Sequence, residues 1–335
     1  MRLLLAALLL LSAQAARAAT DYRAINDAAV REHIQPRFAT LEAATRRLAA
    51  TAEGGCGNLD PLRHDWIEAM RAWQGAQHLR FGPALLKNRH QRFAFWPDPR
   101  NSVPRQMADL FQAGQLPAFA GGSVAVQGLT ALERVLFDPA EAAKLGTEPF
   151  RCSWAQAVAR NLAEMGAALN ADWQSEYPTQ FVAAAGDLVP YKEPKEATLD
   201  LFKALHQAVE LVADHKLAQP LGKTPKDQRP QQAELWRSRQ SGTAIAVDID
   251  AARDLFKVFA PRLENRALAT DLTKRLDDLA RRTRDLDLDA ALADAAKRPM
   301  LDKLRADAAT LKTLFAEELA PALDIPVGFN ALDGD

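Results

Sequence analysis

The chain has 335 residues, 25% of them charged, and its 42 lysines and arginines nearly balance 43 aspartates and glutamates to give a formal charge of −1. So even a balance excludes a general nucleic-acid binder, which carries a basic excess. The length exceeds what one hydrophobic core usually serves and predicts two domains or two sub-bundles.

At the N-terminus, Met1-Arg2 precedes an apolar run over 3–11 and then the small-x-small site Ala16-Arg17-Ala18, the pattern of a secretory signal peptide over 1–18. The run falls short of the about 20 apolar residues that span a bilayer, and no later stretch comes close, so no transmembrane segment is expected in the mature chain. No cysteine follows the run to carry a lipid anchor. Cleavage near Ala18 or Ala19 removes Arg2 and Arg17 and takes the charge from −1 to −3. Cys56 and Cys152 remain. In an oxidising compartment, without CxxC spacing, they read as one disulfide in preference to a two-cysteine metal site. Closing so long a loop contributes about 4 to 5 kcal/mol in the chain-entropy model.

Helix formers dominate the mature chain while valine, isoleucine and tyrosine are sparse, which predicts an all-α protein. Trp66, Met70, Trp73 and Gln77 form the first clear stripe at three- and four-residue spacing. A loop-rich block follows, from Arg80-Phe81-Gly82-Pro83 through Trp96-Pro97-Asp98-Pro99-Arg100, and it gathers Arg80, Arg89, Arg92, Arg100 and Arg105. Two prolines flanking Asp98 make a rigid corner, either a pocket wall or a lid plugged by Trp96. Next comes Gln127-Gly128-Leu129-Thr130-Ala131-Leu132-Glu133, in which Thr130 and Glu133 share a helical face. A carboxylate set among Leu129, Leu132, Val135 and Leu136 is either a surface group or a site group, since burying it unpaired is costly. Gly128 allows another backbone or a ligand to approach closely.

Further stripes run through Leu162, Met165 and Leu169, then Leu199, Phe202, Leu205, Val209 and Val212, then Leu255, Val258, Phe259 and Leu263, and finally along 301–319. The segment 190–194, with a proline at each end, is the expected linker between an N-terminal bundle over 19–190 and a C-terminal one over 195–335. Across it Val124-Ala125-Val126-Gln127 echoes Ile245-Ala246-Val247-Asp248, and Ala131 and Glu133 align with Ala252 and Asp254, which suggests two pseudo-symmetric helical bundles packed side by side. In the second half Arg237, Ser238, Arg239 and Ser241 lead into a helix. Arginine's planar fork suits carboxylates or phosphates, or an ion pair at the bundle interface. Ser238 and Ser241 either cap that helix or offer donors to an anion.

Hydrolase signatures are missing: there are no two histidines four apart with a glutamate between, no glycine-rich phosphate loop, and no serine-histidine-aspartate order. His64 with Glu68 and His206 with Glu210 have the spacing of two ligands from one turn or of ordinary helix-surface pairs. His33, His78, His90 and His215 carry no such pattern.

The stretch 127–137 resembles the central motif of the imelysin-like periplasmic proteins, and 73–83, 95–100 and 234–241 also resemble that family's predicted periplasmic branch. The resemblance implies a periplasmic protein of two helical bundles with a pocket between them; several relatives are associated with iron acquisition, and some carry a metallopeptidase label. The family pattern is glycine-x-histidine-x-x-glutamate, and Thr130 stands here at the histidine position, which leaves Glu133 alone unable to fix a transition metal. The expected function is therefore an exported binding protein for iron or another divalent metal, or for a metal chelate. Glu133 is the central group and the metal contact, and Thr130, Gln127, Gly128, Arg80, Trp96, Asp98, Arg100, Arg237, Ser238 and Ser241 surround it. The alternatives are an imelysin-type metallopeptidase that recruits His64 or His206, and an adaptor for other envelope proteins.

Overall fold

The computed structural model describes residues 20–184 and 191–326; the expected signal peptide and Pro190 lie outside them. The described residues are helical and contain no strand. The chain runs through α1 (Tyr22–Ala29), α2 (Gln35–Glu53), α3 (Asp60–Gln74), the short α4 (Arg89–Phe93), α5 (Ser102–Ala113), α6 (Gly128–Phe137), α7 (Pro139–Leu145), α8 (Pro149–Asp172) and α9 (Tyr177–Ala183). It continues with α10 (Pro194–Glu210), the short α11 (Ala218–Leu221), α12 (Ser241–Phe259), α13 (Arg266–Thr283), α14 (Leu288–Ala293) and α15 (Arg298–Leu314). Wider π-helical turns interrupt this pattern at Val30–Ile34, Leu211–Leu217 and Phe315–Leu319, so α10 continues through its turn into α11.

The apolar stripes account for the packing. Phe38, Leu41 and Leu48 on α2 are buried, and α2 runs along both α3 and α8. Gly166 permits that contact, because a Cβ there would meet Thr45 Oγ1 at 2.5 Å and the Glu42 Cα at 3.3 Å. In the second half α12 packs on α10 and α13, and it also touches α3, while α1 packs against α10. The buried apolar residues form one continuous cluster from Ile25 to Ile325 that crosses the expected boundary. The disulfide expected between Cys56 and Cys152 is present, with Cα atoms 5.8 Å apart and a sequence separation of 96.

Three contacts hold α6 in place. The indole N–H groups of Trp66 and Trp154 donate to the Leu129 and Val126 carbonyls at 3.0 and 3.1 Å. Gly128, at φ +80°, starts the helix where a Cβ would lie 2.4 Å from the Arg92 carbonyl oxygen; the close approach expected there is made by backbone. Asp98 Oδ2 accepts from the Val103 N–H at 2.7 Å, so the proline-flanked corner is pinned to the first turn of α5. The repeat echo does not extend to local structure. Val124–Val126 is a 3-10 turn, whereas its counterpart lies inside α12, and Glu133 is buried while Asp254 is half-exposed and accepts from Arg37 at 3.2 Å.

Candidate functional site

Thr130, Glu133 and Arg134 sit at i, i+3 and i+4 on α6 and form one wall of a cleft of about 680 Å³. The turn 233–237 supplies the facing wall with Leu235, Trp236 and Arg237, and the corner from Phe95 to Pro99, with Asn101 and Val103, closes the third side. The cleft therefore joins residues from both halves of the sequence.

Glu133 is 3% exposed. Its Oε1 accepts from the Ser238 backbone N–H at 3.0 Å and from the Ser238 hydroxyl at 2.8 Å, with the Leu235 carbonyl as an alternative acceptor for that hydroxyl at 3.1 Å. Burial pushes the Glu133 carboxyl upward; the two bonds from Ser238 and the charge of Arg237 oppose it. Its Oε2 accepts no hydrogen bond among the described residues. Across the cleft, Asp98 Oδ1 is buried without a partner.

Two arginines face this space without a counterion. Arg237 lies over the Trp236 ring at 4.3 Å, and its Nε is buried and unbonded. Burial lowers its pKa, the neighbouring charge of Arg134 lowers it further, and Glu133 and Asp138 pull the other way. Neither Arg134 nor Arg237 forms an ion pair among the described residues. Two adjacent unpaired guanidiniums repel each other, and an anion between them would relieve that cost.

Of the residues singled out in sequence, the structure brings Glu133, Thr130, Trp96, Asp98, Arg237 and Ser238 together. It leaves five others outside the cleft. Gln127 is buried behind it, accepting from Arg92 Nε at 3.1 Å and Asn161 Nδ2 at 3.2 Å and donating to the Phe119 and Ser123 carbonyls. Gly128 packs on backbone, as described. Arg80 is exposed beside His90, and Arg100 is exposed next to the corner without lining the cleft. Ser241 is buried at the first turn of α12 with its hydroxyl unpartnered, so it does not act as the expected cap. His64 is exposed and His206 is buried elsewhere. Neither lines the cleft, and among the described residues no three His, Cys, Asp or Glu side chains are grouped to hold a metal ion.

Sequence reasoning missed a second polar cluster, on the other side of the same turn. Lys216, 2% exposed, reaches it from the π-helical turn after α10. Its ammonium contacts Gln74 Oε1 at 2.5 Å, Glu234 Oε2 at 2.8 Å and the Asp248 carboxylate. Gln74 also donates to Glu234 Oε1 at 3.1 Å, and Gln77 donates to Asp248 Oδ1 at 2.9 Å. With two carboxylates on one ammonium, burial pushes Asp248 up to about 6 against the pull of Lys216.

The model of the imelysin family, described as Imelysin, matches residues 34–315. The chain belongs to the imelysin family. A crystal structure of an imelysin-like protein from Psychrobacter arcticum 273-4 shares the fold, with a TM-score of 0.77 at 22% identity over 93% of this chain and 100% of that one. No curated protein matches the chain. The matched region includes the helix that carries Thr130, Glu133 and Arg134 into the cleft.

Proposed function

We propose that this imelysin-family protein is an exported, periplasmic binding component that takes a metal ion, iron foremost, together with a small carboxylate chelator. The observation that carries this reading is the pair of unpaired arginines, Arg134 and Arg237, beside acceptors that also lack donors, Asp98 Oδ1 and Glu133 Oε2. Such a mixed lining suits a ligand that presents negative oxygens on one side and a cationic centre on the other. The arginines would hold the chelator's carboxylates bidentately. Asp98, Glu133 and the Thr130 hydroxyl would face the metal or its bound waters. A bare transition ion fits less well: the described lining offers oxygen donors and neither histidine nor cysteine, and the position occupied by histidine in the resembling motif is Thr130. Trp96 and Trp236 would flank the chelator and exclude water from these contacts.

Thermal unfolding in the presence of ferric citrate, citrate alone and metal ion alone tests the reading. Ferric citrate at a hundredfold excess over Kd should raise Tm by about 4 °C, well above either component. Equal shifts with and without citrate, or no shift, would remove the chelate.

A further inference from the structure

The turn 233–238 is a cleft wall with no helix of its own, and its backbone is unfavourable. Leu235 and Arg239 sit at φ 61° and 58°, left-handed conformations that non-glycine residues adopt only when their surroundings impose them. Two anchors impose them here. On the cleft side Ser238 is bonded to Glu133. On the core side Glu234, 5% exposed, is bonded to Gln74 and Lys216. Trp236 and Arg237 lie between these two points.

We propose that Lys216 is a positioning residue for the cleft: its ammonium clamps Glu234 from behind and so determines where Trp236, Arg237 and Ser238 stand in the binding wall. The clamp is complete on one side and contested on the other. The ammonium is hydrogen-bonded to Gln74 and ion-paired with Glu234 and Asp248, and the groups facing Asp248 are Lys216, Glu234 and Gln77. When Asp248 carries a proton, Glu234 has the ammonium to itself and the turn is held tightly. When that proton leaves, the two carboxylates compete for one cation and the turn loosens. The significance for binding rests on the cleft being a ligand site; the clamp itself does not.

A ligand-free experiment therefore tests it. In full-length protein containing 5-fluorotryptophan, the Trp236 signal, assigned with Trp236→Phe, should move between pH 7 and 5 and should stay still in Asp248→Asn. Lys216→Met and Glu234→Gln should each displace that signal, and Glu234→Gln should speed amide exchange over 235–239 by roughly tenfold more than it speeds exchange in α8. Combining them should add nothing further, because both break the same contact. Should Lys216→Met fail to fold, Glu234→Gln and the pH profile carry the same decision. An unmoved Trp236 signal in Glu234→Gln, or the same pH profile in Asp248→Asn as in the unmodified chain, would overturn the clamp. A citrate experiment that fails while these succeed would remove only the proposed ligand.

Discussion

The two faces of the turn 233–238 differ in one respect that separates structure from binding. Behind the turn, the buried Lys216 is hydrogen-bonded to Gln74 and ion-paired with Glu234 and Asp248, while Gln74 and Gln77 donate to those two carboxylates. In front of it, Arg237 Nε and Asp98 Oδ1 are buried without a partner, and the half-buried Arg134 beside them forms no ion pair among the described residues. Both sets are charged, and both lie wholly or partly out of solvent. A buried charge with its partner beside it belongs to the fold, whereas one kept without a partner marks the place where something else supplies it.

The sharpest way to break this comparison is to remove the rear cation. Lys216→Met leaves two carboxylates buried without a counterion and should cost about 3 to 5 kcal/mol in urea unfolding; a loss below about 1 kcal/mol would mean that the rear cluster is not closed. Next in size is a pH effect. Asp248 is raised in the folded protein to about 6 from an ordinary 3.8. The stability this group contributes is therefore present below pH 4 and is lost as pH rises toward 6, on the order of 2 kcal/mol across that window. Asp248→Asn should flatten the slope when unfolding is followed at several pH values between 4 and 7.

Smaller effects sharpen the front face. Ser238→Ala removes one of the two bonds to the buried Glu133 and should cost about 1 kcal/mol in the same unfolding measurement. Arg237→Gln should change stability by less than about 0.5 kcal/mol, since no ion pair is lost, yet it should abolish the thermal shift with ferric citrate. A stability loss as large as that of Lys216→Met would place Arg237 with the structural set.

Much of this was legible in the sequence. The helical class followed from composition, and the α6 face was grouped with Asp98, Trp96, Arg237 and Ser238 through the family resemblance, in company with Arg80, Arg100 and Ser241, which lie outside the cleft. Arg134 went unread even though it lies at i+4 from Thr130 and so on the same face, because it also reads as an ordinary basic residue in a last helical turn. Lys216 had a signal of its own. The stripe Leu205, Val209 and Val212, extended by one turn, lands on it, as the stripe Trp66, Met70 and Trp73 lands on Gln77 and that of Ile245, Ile249 and Ala252 encloses Asp248. Polar residues that continue apolar stripes into the core must find partners, and Lys216 and Gln77 both find Asp248. Glu234 and the course of the turn could not be read this way, because a segment with left-handed leucine and arginine has no periodicity, and its path is set by contacts more than a hundred residues distant.

The crosslink from Cys56 to Cys152 encloses a covalent ring that contains the proline corner and the whole of α6, while the turn 233–238 lies outside it. The two walls of the cleft are therefore unequal in tether: Asp98, Thr130, Glu133 and Arg134 belong to a closed circuit of chain, and Trp236 and Arg237 lie on open chain that meets the circuit at Ser238 and Glu133. The crosslink thus constrains one wall directly and reaches the other only through the contacts between them.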